Sequence, residues 1–169
     1  MPSPAARPST RSASPTISGP IRAGPRTKPD FSVQIVNLAV AGGLNTGDLD
    51  WLVFNIKPAA SLPAQPLKIR KSPAVVGEKI CLIGSPYAEP NAAQNAYFGK
   101  VIRREFGNYF SFSLSPAVDL HGFSGAPIID EDGALVGMMT TWFEPKMSGE
   151  KFLEGAGQDA AAIVPLVEP

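Results

Sequence analysis

Beyond residue 30, short apolar runs alternate with glycine- and proline-containing breaks, and this alternation constrains the fold more than any other feature of the chain. Breaks such as Gly42-Gly43 and Asp132-Gly133 are typical turn signals, and residues 91–96 are the best of a few helical candidates. Many short strands joined by such turns predict an all-β sandwich or barrel. Each run is rich in β-branched and aromatic residues and predicts a strand: 31–40, 50–56, 66–70, 79–84, 97–103, 108–114, 126–130, 134–142 and 161–166.

The first 29 residues differ in composition from the rest of the chain. They hold 7 of the 18 prolines and five basic residues without one acidic residue, and they show no apolar periodicity. Such a segment cannot bury enough surface to offset its chain entropy, so residues 1–30 are predicted to be a disordered tail. A solvated natural tail, a transit peptide and an artefact of the predicted start are three open interpretations of it.

Composition excludes several classes of protein. The 15 basic and 15 acidic residues balance, which argues against a nucleic-acid binder. One cysteine excludes an internal disulfide and a cysteine-based zinc cluster, and one histidine leaves little room for the commoner transition-metal sites. No feature of the sequence implies a metal or an organic cofactor. No apolar run approaches the roughly 18–20 residues of a membrane span, and none resembles a secretory signal. The default expectation is therefore a cytoplasmic protein without metal or cofactor.

The peptide at residues 118–130 carries the clearest chemical signal. Ser124 lies between glycines, which allow positive φ and a close approach of the backbone to a substrate. Such a loop can direct the N–H groups of Gly122 and Ser124 toward the oxygen of an attacked carbonyl. An ordinary glycine-rich turn is the alternative interpretation. An α/β-hydrolase elbow does not fit, because Ala126 replaces its second glycine and strands follow the serine.

Five segments in succession resemble the trypsin-like serine peptidases, particularly their bacterial, disulfide-free branch. Residues 122–142 resemble the nucleophile loop and the hairpin that follows it. The resemblance covers roughly residues 31–167, and four more segments carry it: LDWLVFNIKP, VGEKICLIGSPY, YFGKVIRRE and the DAAAIVPLVEP that resembles the closing strand.

The resemblance implies two six-stranded β-barrels with the active site between them. Ser124 takes the position of the nucleophile, and the N–H groups of Gly122 and Ser124 that of the oxyanion hole. Asp50 takes the place of the aspartate that orients the catalytic histidine, with Asp48 as its near competitor. The positions at which the family contacts its substrate match Val118, His121, Thr141 and Trp142. The pocket that the resemblance implies at these positions is uncharged. The expected partner is a peptide or protein substrate.

The family's catalytic histidine has no counterpart upstream of Asp50. His121 lies in the loop of the serine itself, whereas the base must approach from the opposite barrel. The sequence thus predicts an incomplete first barrel at residues 31–60, with two recognisable strands, and a complete second barrel at residues 61–169. A chain truncated in this way is expected to be inactive or severely impaired, because a serine needs a neighbouring base to become nucleophilic.

Three functional hypotheses follow from these observations. The first is a serine endopeptidase homologue with an impaired site, and the second is a pseudopeptidase that holds extended peptides without cleaving them. In the third, the protein is a structural β-protein whose Ser124 loop is only a turn. An incomplete barrel leaves apolar side chains and a strand edge unpaired, so we also expect self-association through the first barrel.

Overall fold

The computed structural model describes residues 35–41, 51–57, 65–86, 93–142 and 154–167, and every structural statement below concerns these residues. Asp50 and the predicted tail at 1–30 lie outside them. The described segments contain eight strands, followed by a 3₁₀ helix at Ala160–Ile163 and one turn of α-helix, α1, at Val164–Val167. The strands are β1 (Ile35–Ala41), β2 (Leu52–Ile56), β3 (Lys79–Gly84), β4 (Asn95–Arg104), β5 (Tyr109–Leu114), β6 (Pro127–Ile129), β7 (Leu135–Trp142) and β8 (Glu154–Asp159).

Six of these strands close into a barrel. Its order is β3-β4-β5-β8-β7-β6, every neighbouring pair is antiparallel, and pairing of Cys81 with Ile129 between β3 and β6 completes the circle. Strands β1 and β2 form a separate antiparallel pair, with Leu38 opposite Phe54. The predicted all-β class, the closed second barrel and the two-stranded first sheet are therefore confirmed.

Large apolar side chains fill the barrel, and two glycines of β8 make room for them. The rings of Phe110 and Phe112 are fully buried. A Cβ atom on Gly155 would lie 2.4 Å from Phe112 Cζ, and one on Gly157 would lie 2.7 Å from Phe110 Cζ. Strand β8 therefore lacks an apolar pattern of its own, because rings from β5 occupy the space that its side chains would need.

The strand and helix predictions differ from the structure at three segments. The closing strand is β8, whereas residues 161–166, which were predicted to form it, lie in the 3₁₀ helix and α1. Residues 66–70 form one isolated bridge, between Ile69 and Leu135, instead of a strand. The predicted helix at 91–96 is also wrong where it can be judged, because Asn95 and Ala96 begin β4. Strand pairing outweighed local composition at these positions.

A buried ion pair holds the end of β8. The Asp159 carboxylate is 1 % exposed and accepts hydrogen bonds from the Ala74 amide at 2.8 Å and from the Arg104 guanidinium at 2.5 and 3.0 Å. The Asp159 amide in turn donates to the Asn108 carbonyl at 2.7 Å. One carboxylate thus joins β8 to β4 and to the segment before β3.

The described residues contain no helix long and apolar enough to cross a membrane. Within the same segments, no cluster of three histidine, cysteine, aspartate or glutamate residues is placed to hold a metal ion.

Replacing Gly155 with alanine should lower the free energy of unfolding by about 1–3 kcal/mol, because the added methyl group overlaps a buried ring. The clash involves the Phe112 ring. In a Phe112→Leu background the same substitution should therefore cost less, which urea denaturation of the four variants of the cycle measures. Equal losses in both backgrounds would contradict the contact.

Replacing Arg104 with methionine should lower the free energy of unfolding by about 3 kcal/mol, because it leaves the buried carboxylate of Asp159 uncompensated. The matched control is Lys79→Met. Its pair with Glu131 spans 2.9 Å between side chains that are 74 % and 70 % exposed. The control should cost less than about 1 kcal/mol. A loss for Arg104→Met as small as that of the control would show that Asp159 does not depend on this partner.

Candidate active site

The candidate nucleophile lies in the loop between β5 and β6. Within this loop the apolar residues Leu120 and Phe123 are buried, with 3 % and 1 % of their surface exposed. Gly122 and Ser124, on either side of Phe123, are exposed. Burial of two apolar side chains thus holds the loop on the barrel and turns the residues beside Phe123 outward.

Phe123 is the anchor of this loop. Its ring packs edge-on against Tyr97, with centroids 5.3 Å apart and an interplanar angle of 88°. Gly84, at the end of β3, lies under the ring, because a Cβ atom there would be 2.8 Å from Phe123 Cδ1. Strands β3 and β4 therefore shape a cavity that the Phe123 side chain fills.

Two consecutive turns carry the backbone past the serine. The Phe123 amide donates to the Leu120 carbonyl at 3.2 Å, and Gly122 lies in this turn with φ +90°. The Ala126 amide donates to the Phe123 carbonyl at 2.7 Å, and Gly125 lies in the second turn with φ +82°. Side chains are strained at such φ values, so glycine is required at both positions.

Strand β7 fixes the far side of the loop. The Gly125 amide donates to the Met139 carbonyl at 2.7 Å, and the Met139 amide donates to the Ala126 carbonyl at 2.9 Å. Ser124 is therefore held between the Phe123 anchor on one side and a pair of backbone hydrogen bonds on the other.

Three polar groups of the exposed residues Gly122 and Ser124 have no hydrogen-bond partner among the described residues. Within the described part of the chain, neither the amide of Gly122 nor that of Ser124 donates to an acceptor, and the Ser124 hydroxyl makes no hydrogen bond. Two amide donors and one hydroxyl thus stand on an exposed, fixed stretch of backbone. This is the composition of a site that binds an oxyanion next to a nucleophile.

His121 is paired within its own loop. Its Nδ1 atom lies 2.6 Å from Asp119 Oδ1, which also accepts a hydrogen bond from the His121 amide at 3.1 Å. Both side chains are more than half exposed, so the pair contributes little to stability. The sequence reasoning missed Asp119, although aspartates commonly accept from an amide two residues further along.

The other predicted site residues have different surroundings. Val118 is half-buried and packs against the barrel core. The backbones of Thr141 and Trp142 pair with Ala156 and Gly155 of β8, close to the Met139 that holds the loop. The side chains of both residues, and the whole of Asp50, lie outside the described structure.

Cys81, the one cysteine of the chain, is not placed as a nucleophile. It is 8 % exposed, and burial raises the pKa of its thiol, while a hydrogen bond with the Tyr97 backbone acts in the opposite direction. It lines a cavity of about 500 Å³ beside β3, β4 and β6 that none of the Ser124 loop residues lines. This cavity is therefore separate from the candidate site.

A sequence model of the family described as "Trypsin-like peptidase domain" matches residues 6–138. The match covers most of the chain and includes the Ser124 loop. The chain belongs to the trypsin-like peptidase family. No curated protein sequence is similar enough to count as a match.

Solved structures of serine peptidases share the fold. Kallikrein-related peptidase 10 superposes with a TM-score of 0.66 at 11 % identity, over 82 % of this chain and 72 % of that chain. A Glu endopeptidase gives 0.65 at 19 % identity, over 86 % and 67 %. Neuropsin, a serine protease from mouse brain, gives 0.64 at 16 % identity, over 82 % and 71 %. At such identities the likeness establishes the fold and nothing more.

Hydrogen exchange should distinguish the amides of the loop. We expect the Gly125 amide to exchange slowly, because it donates to the Met139 carbonyl within the structure. The amides of Gly122 and Ser124 should exchange close to the rate of an unprotected peptide, because both residues are exposed and neither amide has an acceptor in the part of the chain that the structure describes. Residue-resolved NMR exchange measures the exchange rates of all three amides. If the Gly122 or Ser124 amide were as strongly protected as that of Gly125, it would not be free to donate a hydrogen bond to a ligand.

Proposed function

We propose that this chain is a serine endopeptidase homologue in which Ser124 forms the acyl-enzyme, and that the chain alone is inactive or severely impaired. The observation that carries the proposal is the fixed loop on which Gly122 and Ser124 are exposed, with the Ser124 hydroxyl and both amides unpartnered among the described residues. The fold and the family membership support it. The domain assignment belongs to the same proposal. It comprises a tail at residues 1–30, a partial first barrel at 31–60 and a full second barrel at 61–169.

In the proposed reaction, Ser124 Oγ attacks the carbonyl carbon of a peptide bond. The electron pair of the carbonyl moves to its oxygen, where the amides of Gly122 and Ser124 stabilise the negative charge. The tetrahedral intermediate then collapses, the C–N bond breaks, and the leaving nitrogen takes up a proton. Water hydrolyses the resulting ester by the same steps. Each half of the reaction needs a group that accepts and returns a proton.

The impairment follows from the proton-transfer requirement. Asp50 is proposed to orient a histidine base, but the one histidine of the sequence, His121, is held by Asp119 in the serine's own loop. An enzyme that loses one member of its triad retains about 10³–10⁴-fold acceleration over water, from the oxyanion hole and substrate binding. We therefore expect a reactive serine with very slow turnover.

The substrates are proposed to be peptides or proteins. Val118, His121, Thr141 and Trp142 would contact them, and this set provides no permanent charge for recognising a charged side chain. The alternative is a pseudopeptidase that holds an extended peptide by strand addition without acylation. The two functions differ in whether Ser124 reacts.

A fluorophosphonate probe tests the proposal. Ser124 Oγ should displace fluoride from phosphorus slowly, faster with added imidazole as an external base, and the Ser124→Ala variant should not be labelled. His121→Ala should still be labelled, and imidazole should still accelerate the labelling, because His121 is not the proposed base. Intact-protein mass spectrometry and peptide mapping measure the rate and the site.

Two outcomes would overturn the proposed reaction. The first is labelling that persists in Ser124→Ala, and the second is the absence of labelling with imidazole at long incubation. Peptide binding that is equally strong in the parent and in Ser124→Ala, without any labelling, would instead establish the pseudopeptidase.

Self-association through the first sheet is proposed because its apolar side chains face solvent. Leu38, Leu52 and Ile56 are 49 %, 60 % and 43 % exposed. Sedimentation velocity should show a sedimentation coefficient that rises with protein concentration, and Leu52→Lys should weaken this rise. Phe98→Lys, at a barrel residue that is 66 % exposed, is the matched control and should have no such effect. A monomer at every concentration would contradict the proposal.

A further inference from the structure

Trp51 is buried directly before β2, a strand in which no residue is buried. It directly follows Asp50, precedes β2, and is 5 % exposed. The next residue, Leu52, is 60 % exposed, and the remaining residues of β2 are exposed or half-buried. Trp51 is therefore directed into the protein at the position where the chain leaves Asp50.

The pocket around Trp51 is built by the barrel and by the helical turn that follows β8. Ala160 and Ile163 of the 3₁₀ helix are buried with it. The half-buried side chains of Ile69, Leu135 and Met138 complete the cluster. The Trp51 side chain thus packs the chain just before β2 against an apolar cluster of the closed barrel and the 3₁₀ helix.

The same strand also holds the Ser124 loop. Met138, which packs in the Trp51 cluster, pairs with Pro127 of β6. Its neighbour Met139 makes the two backbone hydrogen bonds to Gly125 and Ala126. Of two adjacent residues of β7, one therefore packs against the Trp51 cluster and the other is hydrogen-bonded to the loop of the nucleophile.

The opposite side of the pocket is fixed by the buried ion pair. Ala160 directly follows Asp159, whose carboxylate is bound by Arg104 and by the Ala74 amide. The 3₁₀ helix therefore begins next to a residue that is held by β4 and by the segment before β3. A pocket that is fixed in this way can determine where an inserted side chain lies.

We propose that Trp51 is a positioning residue that fixes the start of β2 against β7, the strand that holds the Ser124 loop. Asp50 directly precedes Trp51 in the sequence, and the consequence for its role rests on the proposed function. The contact acts through packing, because the buried Trp51 Nε1 has no hydrogen-bond partner among the described residues. Phenylalanine should therefore replace the tryptophan, whereas alanine should release the segment.

Pulsed EPR distances between two spin labels test this inference without relying on catalysis. The labels are attached to Lys57→Cys, next to β2, and Lys100→Cys, on β4, in a Cys81→Ala background. Both sites are exposed. We expect one narrow distance distribution in the parent and in Trp51→Phe, and loss of that narrow peak in Trp51→Ala. Leu52→Ala is the matched control, because it removes an exposed side chain from the same strand, and it should keep the narrow peak.

A second variant covers the case in which Trp51→Ala fails to fold. Ile163→Ala trims the pocket from the barrel side and should also broaden the distribution, while circular dichroism confirms that the barrel is folded. A narrow peak in folded Trp51→Ala or Ile163→Ala would overturn the inference, as would a broad distribution in the parent.

The rate of fluorophosphonate labelling, measured on the same variants with imidazole present, separates this inference from the proposed function. A failure of the proposed function abolishes labelling in every variant and leaves the distance result unchanged.

Discussion

The candidate site depends on the burial of one side chain, that of Phe123. Its ring lies between Tyr97 and the backbone of Gly84, and no side chain of β3 could occupy that space. Because the anchor points inward, the two residues beside it point outward, and the turns through Gly122 and Gly125 follow. The hydrogen bonds to Met139 then fix the loop to β7. The exposure of Ser124 is thus a consequence of core packing.

Much of the barrel could be predicted because its strands carry their own apolar pattern. Strands β3, β5 and β7 have it, and their predicted bounds agree closely with the structure. Strand β8 could not be found in this way, since its glycines exist to accommodate Phe110 and Phe112, which belong to another strand. A glycine that leaves space for a ring of another strand has no local signal, whereas the apolar segment after β8 has the composition that predicts a strand.

The candidate site, like the barrel, could be predicted only where the signal lies in neighbouring residues of the sequence. Glycines on both sides of Ser124 predicted a sharply turned loop, and the positive φ of Gly122 and Gly125 agrees with that expectation. The packing of Trp51 in one cluster with Ile163 and Met138 depends on tertiary contacts that no local pattern records. Residues separated by about a hundred positions meet only after the barrel has closed. The catalytic assignments stay proposals for the same reason, because they concern groups brought together by folding.

The central claim is that the Gly122 and Ser124 amides converge on one point next to the Ser124 hydroxyl. A crystal structure of the phosphonylated protein, prepared by long incubation with the probe, tests it most directly. The account predicts a phosphonyl oxygen about 3 Å from both amide nitrogens, the distance at which donors stabilise an oxyanion. An adduct on Ser124 whose phosphonyl oxygen points to solvent, with either amide directed away from it, would contradict the account.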